Sequence, residues 1–194
     1  MTPMLYLASA SPRRQQLLQQ LGVGFEVIVS DLDETRASNE TPPQYVRRVA
    51  CEKARQVAAI VRRRGLPWRP VLGADTEVVL DGEVLGKPID RAHGLTMLQR
   101  LQGRTHEVLS VVALMGEREE FDTLSRSLVT FAPMTQTEIE RYWDSGEPVG
   151  KAGGYAIQGH AAALIARLEG SYSGVMGLPL HETAQLLRQA GLPV

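Results

Sequence analysis

The sequence predicts an α/β fold of the mixed α+β kind, and three observations carry that prediction. Short apolar runs such as "MLYLA" and "PVLGAD" alternate along the chain with segments whose apolar residues recur at helical spacing. Helix punctuation falls between them: Ser11, Thr41, Asp90 and Thr135 stand where helices should start, and Gly65, Gly103 and Gly191 where they should stop. Two long segments, 106–115 and 121–131, follow one another and read as strands. Strands and helices interleaved in this way build a sheet covered by helices.

Taken in order, residues 4–8 are short enough for a buried strand. Ser11 then sits at an N-cap and Pro12 at the first helical position, while Leu17, Leu18 and Leu21 give the helix one buried face. Residues 25–29 alternate as a second strand and lead into the acidic loop "SDLDET". Thr41 caps a long helix whose apolar face is Val46, Val49, Ala50, Ala54, Val57, Ala58 and Val61. "PVLGAD" reads as a short strand ending at Asp75, and "TEVVLDGEVLGKP" as a hairpin turning at Asp81 and Gly82. Asp90 caps a helix carrying Ala92, Leu95, Leu98 and Leu101. Thr135 and Glu138 form a capping-box pattern for a short helix through Trp143. "GEPVGKAGGYAIQGHA" has no periodicity and reads as a glycine-rich loop, "AALIARLEG" as a strand, and Pro179 opens the last helix. No linker divides the pattern, so residues 1–194 are expected to form a single domain.

Composition narrows the function classes. The chain has 194 residues, 43% of them hydrophobic, which is enough for a proper core. A formal net charge of −1 gives no bulk electrostatic reason to expect nucleic-acid binding, so any anion site must come from local clustering. Cys51 is the single cysteine, which excludes an internal disulfide and a cysteine zinc cluster. The N-terminal apolar run is too short for a membrane span and lacks a basic leader. A cytoplasmic protein with no membrane partner is the expectation.

Polar residues interrupt the patterned elements at four places: 9–14, 31–34, 73–76 with 86–88, and 150–158. The first combines a helix N-terminus, whose free N–H groups and dipole favour anions, with the permanent cations Arg13 and Arg14. Asp75, at the end of an apolar strand, is placed to bind a hard metal or to accept a proton from water. Glu34 is a second carboxylate for such a metal, whereas Asp31 and Asp33 read as solvated. Lys53 interrupts the buried face of its helix between Ala50 and Ala54, and so needs a carboxylate or an anion. Lys87 and Lys151 both adjoin glycines. The histidines make no metal pattern, and only His106, at the start of a strand, stands out. Basic groups and carboxylates without a nucleophile fit metal-assisted attack by water on a phosphate.

The ordered set "LASASPRRQQLL", "DLDE", "CEKA", "LGADTEVVLDGEVLGKP", "LQGRTHEV", "EPVGKAGGYAIQG" and "GLPL" resembles the Maf family of nucleoside triphosphate pyrophosphatases over nearly the whole chain. The resemblance implies an elongated mixed sheet with two lobes around a nucleotide-binding cleft, often in a homodimer. It also implies a divalent cation, Mg2+ or Mn2+, and cleavage of a nucleoside triphosphate to the monophosphate and pyrophosphate. By position, Asp75 matches the catalytic proton acceptor and, with Glu34, the metal-binding carboxylates. Ser9, Ser11, Arg14, Lys53 and Lys87 match residues that face the triphosphate. Arg13, Thr76 and Gln158 match the specificity positions of members that prefer dTTP and UTP. Gly150 is a departure, since many relatives carry Asp before the Lys-Ala-Gly. Two rivals share these residues: a nucleotide-sensing regulator of septum formation with little turnover, and an inosine-triphosphate-type pyrophosphatase.

Overall fold

The computed structural model describes residues 3–194, and a mixed sheet of seven strands forms its centre. β1 (Leu5–Leu7) pairs in parallel with β2 (Phe25–Val27) on one side and with β3 (Val71–Leu80) on the other. β4 (Glu83–Val84) folds back on the end of β3 through Asp81 and Gly82. β5 (Thr105–Met115), β6 (Glu120–Phe131) and β7 (Ile165–Glu169) complete the sheet as antiparallel neighbours, in the order β2-β1-β3-β5-β6-β7.

The helices start where local chemistry directs. α1 (Pro12–Gln20) opens with the Ser11 hydroxyl accepting the Arg14 N–H at 3.4 Å. α2 (Pro42–Arg63) begins with the Gln44 side chain accepting the Thr41 N–H at 2.9 Å. α3 (Arg91–Leu101) is capped by Asp90, and α4 (Gln136–Asp144) by the reciprocal Thr135 and Glu138 bonds. α5 (Tyr172–Met176) is a short helix the sequence pattern does not announce, because five residues are too few to display a period. α6 (Leu180–Gln189) follows Pro179 as expected.

Helix α2 lies on one face of the sheet, where its seven apolar positions are all buried and all but Val49 join one cluster with Tyr6, Val71, Val79, Leu109, Val111 and Ala113. Gly73 makes that approach possible: a Cβ there would stand 2.3 Å from the Ala50 carbonyl oxygen. On the opposite face Leu17, Leu18, Leu186 and Leu187 cover Leu5, Leu7, Leu72, Ala74, Val112 and Leu114. A further apolar cluster joins α3 and α4 to Val78, Val108, Val129 and Phe131.

One expectation is overturned. Asp75 does not end a short strand; it lies in the middle of the ten-residue β3. β5 pairs with β3 without interruption from Val71 to Val79, so the backbone stays extended through the polar positions. The opposite edge explains the sequence. β1 reaches only Val71 and Leu72, β4 only Val79 and Leu80, and neither covers residues 73–77. The polar residues fill this gap in the pairing. The expected strand in "AALIARLEG" is also shorter than its motif, since residues 160–163 form a 3₁₀ turn first.

Candidate functional site

A cavity of about 480 Å³ opens at the uncovered stretch of β3, within the size range of small-molecule sites. Side chains alternate across the strand. Asp75 and Glu77 turn to the α2 face, and Thr76 to the α1 and α5 face.

On the α2 face, Lys53 bridges two carboxylates. Its Nζ lies 2.8 Å from Asp75 Oδ1 and 2.8 Å from Glu34 Oε1. The Lys53 and Asp75 side chains are 12% and 6% exposed, so this ion pair is largely withdrawn from water. The second oxygen of Asp75, Oδ2, is buried without a hydrogen-bond partner. Glu77 is buried too, and burial, followed by repulsion from Asp75, pushes its carboxyl up to about 8.

On the other face, Arg14 is held by neutral acceptors. Its Nε donates to the Gly177 carbonyl at 2.8 Å, Nη2 to Thr76 Oγ1 at 3.3 Å and Nη1 to Ser9 Oγ at 3.5 Å. Among the described residues no carboxylate lies within ion-pair distance of it. A half-buried guanidinium held in this way keeps its charge for an anion, beside the N-terminus of α1. Ser9 also accepts the Ser11 N–H at 3.2 Å, which shapes the turn into the helix. Thr76 Oγ1 lies 3.0 Å from Ser110 Oγ, and Ser110 donates to the Gly174 carbonyl at 2.6 Å. The sheet, α1 and α5 are thereby joined through these two hydroxyls.

The glycine-rich segment closes the far wall. Gly153 donates to the Gly86 carbonyl at 2.7 Å and takes a φ of 66°, and a Cβ on it would meet Val78 at 2.8 Å. Tyr155 lines the cavity, and its hydroxyl is 2.7 Å from Nε2 of the buried His106. The Glu147 carboxylate accepts from the Tyr142 hydroxyl at 2.7 Å and from the backbone N–H groups of His160 and Ala161 at 2.7 and 3.2 Å. It thereby fixes the end of the segment. Gly159 is needed beside it, since a Cβ there would lie 1.8 Å from Glu147 Oε2.

Of the residues singled out from the sequence, Ser9, Ser11, Arg13, Arg14, Glu34, Lys53, Asp75, Thr76 and Lys87 all line this one cavity. Gln158 does not line it and is exposed. Asp31 and Asp33 are exposed, as the solvated reading expects. Gly150, also on the wall, takes a φ of 70°. Glu77, Tyr155 and the Gly177 carbonyl are the site groups that sequence reasoning passes over. Period-two alternation from Asp75 would have found Glu77; nothing in a side-chain pattern announces a carbonyl.

The fold and the residues have known counterparts. A solved structure described as that of the Staphylococcus aureus Ham1 protein superposes with a TM-score of 0.53, covering 96% of this chain and 98% of its own at 13% identity, a likeness of fold alone. The chain is 53% identical over 194 residues to a protein of Cupriavidus pinatubonensis named dTTP/UTP pyrophosphatase, covering 97% of each. It is 55% identical over 188 residues to one of the same name from Alkalilimnicola ehrlichii, covering 95% of this chain and 92% of the other. Residues 4–190 match the family described as Maf-like protein, and the chain belongs to the Maf family.

Proposed function

We propose that this protein is a nucleoside triphosphate pyrophosphatase acting on dTTP and UTP, which it cleaves to the monophosphate and pyrophosphate. The observation that carries the reading is the pairing of Asp75, a buried carboxylate with one free oxygen, with an uncompensated Arg14 across a single cavity. One group takes a proton and the other holds the phosphates. Relatives bearing that enzyme's name, about half identical over nearly the full length, support the substrate class.

In the mechanism, Arg14, Lys87 and the amides at the start of α1 bind the triphosphate and neutralise charge that grows as the α–β phosphoanhydride breaks. The Asp75 carboxylate orients the attacking water and accepts its proton. Lys53 holds Asp75 and Glu34 in place through its two 2.8 Å contacts. Asp75 and Glu34 suit a hard divalent cation, because each offers carboxylate oxygen and Asp75 Oδ2 has no other partner. Such a cation, when bound, supplies further neutralisation of phosphate charge. Arg13 and Thr76, on the cavity wall, are assigned to recognition of the base, and Gln158, exposed beyond that wall, is given the same role on the family resemblance alone. The substrate pool and the absence of a helix able to cross a membrane among the described residues fit work in the cytoplasm.

The test is pyrophosphate release from dTTP, UTP, GTP and 7-methylguanosine triphosphate with Mg2+ or Mn2+. dTTP and UTP are expected to lead, and Asp75→Asn to lower turnover by about 100-fold or more with the fold intact. Binding of the pyrimidine nucleotides without pyrophosphate release would replace the enzyme by a nucleotide sensor. Preference for purines would move it toward the inosine-triphosphate type.

A further inference from the structure

Glu77 is unexplained by the reaction described so far. It stands two positions from Asp75 on the same face of β3, lines the cavity and is 8% exposed. Its Oε2 is buried without a hydrogen-bond partner, as is Oδ2 of Asp75. No Lys or Arg approaches Glu77 within ion-pair distance among the described residues, and Lys53 spends its ammonium on Asp75 and Glu34. Val79, next on the same face, packs into the apolar cluster beneath α2. An apolar side chain would therefore suit position 77 better than a carboxylate, if packing alone decided. Two carboxylates side by side, each with an unsatisfied buried oxygen, repel one another and forgo hydration. A cation between them removes both penalties.

We infer that Asp75 Oδ2 and the Glu77 carboxylate form a two-carboxylate subsite for a divalent cation of the Mg2+ and Mn2+ class, making Glu77 a further metal ligand of this chain. No group of three or more His, Cys, Asp or Glu side chains surrounds a single point among the described residues. The protein thus supplies two ligands here, and water and phosphate oxygens supply the others, which is how Mg2+ is commonly held at phosphate-processing sites. The inference deepens the pyrophosphatase reading and rests on it only for the phosphate ligands.

Mn2+ binding is measured directly by electron paramagnetic resonance and by the Mn2+-induced rise in melting temperature. Both are run with and without a non-hydrolysable triphosphate analogue, on the wild type, Glu77→Gln and Glu77→Val. The wild type should bind Mn2+ and melt higher with it, and both variants should bind roughly tenfold more weakly or worse and lose most of that rise. Without metal, Glu77→Val should melt at or above the wild type, since it discards an unpartnered buried carboxylate. Equal Mn2+ affinity in wild type and Glu77→Gln would overturn the inference. So would absence of Mn2+ binding by the wild type under both conditions, or a metal-free Glu77→Val that melts well below it. Pyrophosphate release measured on the same samples separates the two readings. Glu77-dependent Mn2+ binding without turnover would leave the subsite standing and sink the enzyme, whereas turnover with Glu77-independent binding would do the reverse.

Discussion

Replacing Lys53 by Met should be the most disruptive single change to the site, and its cost can be worked from two contacts. The ammonium lies 2.8 Å from Asp75 Oδ1 and 2.8 Å from Glu34 Oε1. At an effective dielectric of about 20, opposite unit charges at that separation attract by about 6 kcal/mol. Desolvation of the 12% exposed Lys53 and the 6% exposed Asp75 offsets roughly half of this, leaving about 3 kcal/mol lost when the pair is broken. The Glu34 contact adds little, because that side chain is 38% exposed and water screens it. Met matches the length of the lysine stem, so the charge is what changes.

For a chain of this size, a loss of about 3 kcal/mol corresponds to roughly 6–12 °C in melting temperature. The assay is a double-mutant cycle of melting and denaturant curves on wild type, Lys53→Met, Asp75→Asn and the double variant. Asp75→Asn in the Lys53→Met background should recover about 2 kcal/mol, since it removes the stranded charge. A Lys53→Met protein that melts with the wild type, or a cycle with no coupling, would refute the account of Lys53 as the brace of Asp75.

Arg14→Ala should weaken triphosphate binding or slow turnover at least tenfold, whereas Arg62→Ala, whose guanidinium packs 4.5 Å over the Trp68 ring, should cost about 0.5–1 kcal/mol of stability and no turnover; steady-state kinetics on both would expose a misplaced cleft if Arg62 mattered more. Burial pushes His106 down to about 4 from its usual 6.5, so the folded protein refuses a proton that the unfolded chain accepts. Stability from this group is whole above about pH 6.5 and falls by about 3 kcal/mol as the pH drops to about 4, and urea midpoints across that range should flatten in His106→Gln. Thr76→Val should lower kcat/KM for every triphosphate, because Arg14 loses an acceptor, and most for dTTP and UTP, because a base-recognising hydroxyl is lost as well, while Gln158→Glu should erode the preference for UTP over GTP; an unchanged UTP to GTP ratio in Gln158→Glu would remove that residue from base recognition.

How much of this was legible in the sequence follows the range of the forces involved. The start of α1 is set by Ser11, Pro12 and the leucines after them, all within one turn or two, and local rules recover it. Lys53 was legible as a problem, a charge on an apolar face, but its partners were not. They depend on how closely α2 lies on β3, which Gly73 permits from a distant part of the chain. Reading Asp75 as a strand end lost the phase of the alternation and with it Glu77. The paired partner that keeps β3 extended, β5, sets Val111 opposite Asp75, far downstream in the chain. Polar residues in mid-strand resemble a turn until the continuous ladder on the other edge is seen.

That half-paired strand also explains why one short motif can carry so many roles. Over residues 73–77, β3 has a partner on one edge and the cavity on the other, so its backbone is held rigid while its side chains reach both faces at the opening. Asp75 meets the lysine of α2 on one face, where Glu77 stands beside it, and Thr76 meets the arginine of α1 on the other. The carboxylates and the guanidinium carry opposite charges, and the sheet between them keeps them from collapsing into an ion pair. Arg14 is bound by carbonyl and hydroxyl oxygens only, and Asp75 keeps one oxygen unpartnered. A single residue inserted between Asp75 and Thr76 would put both groups on the same face of the strand. The spacing "ADTE" is therefore a requirement of charge separation across a sheet, with strand pairing as its enforcing constraint.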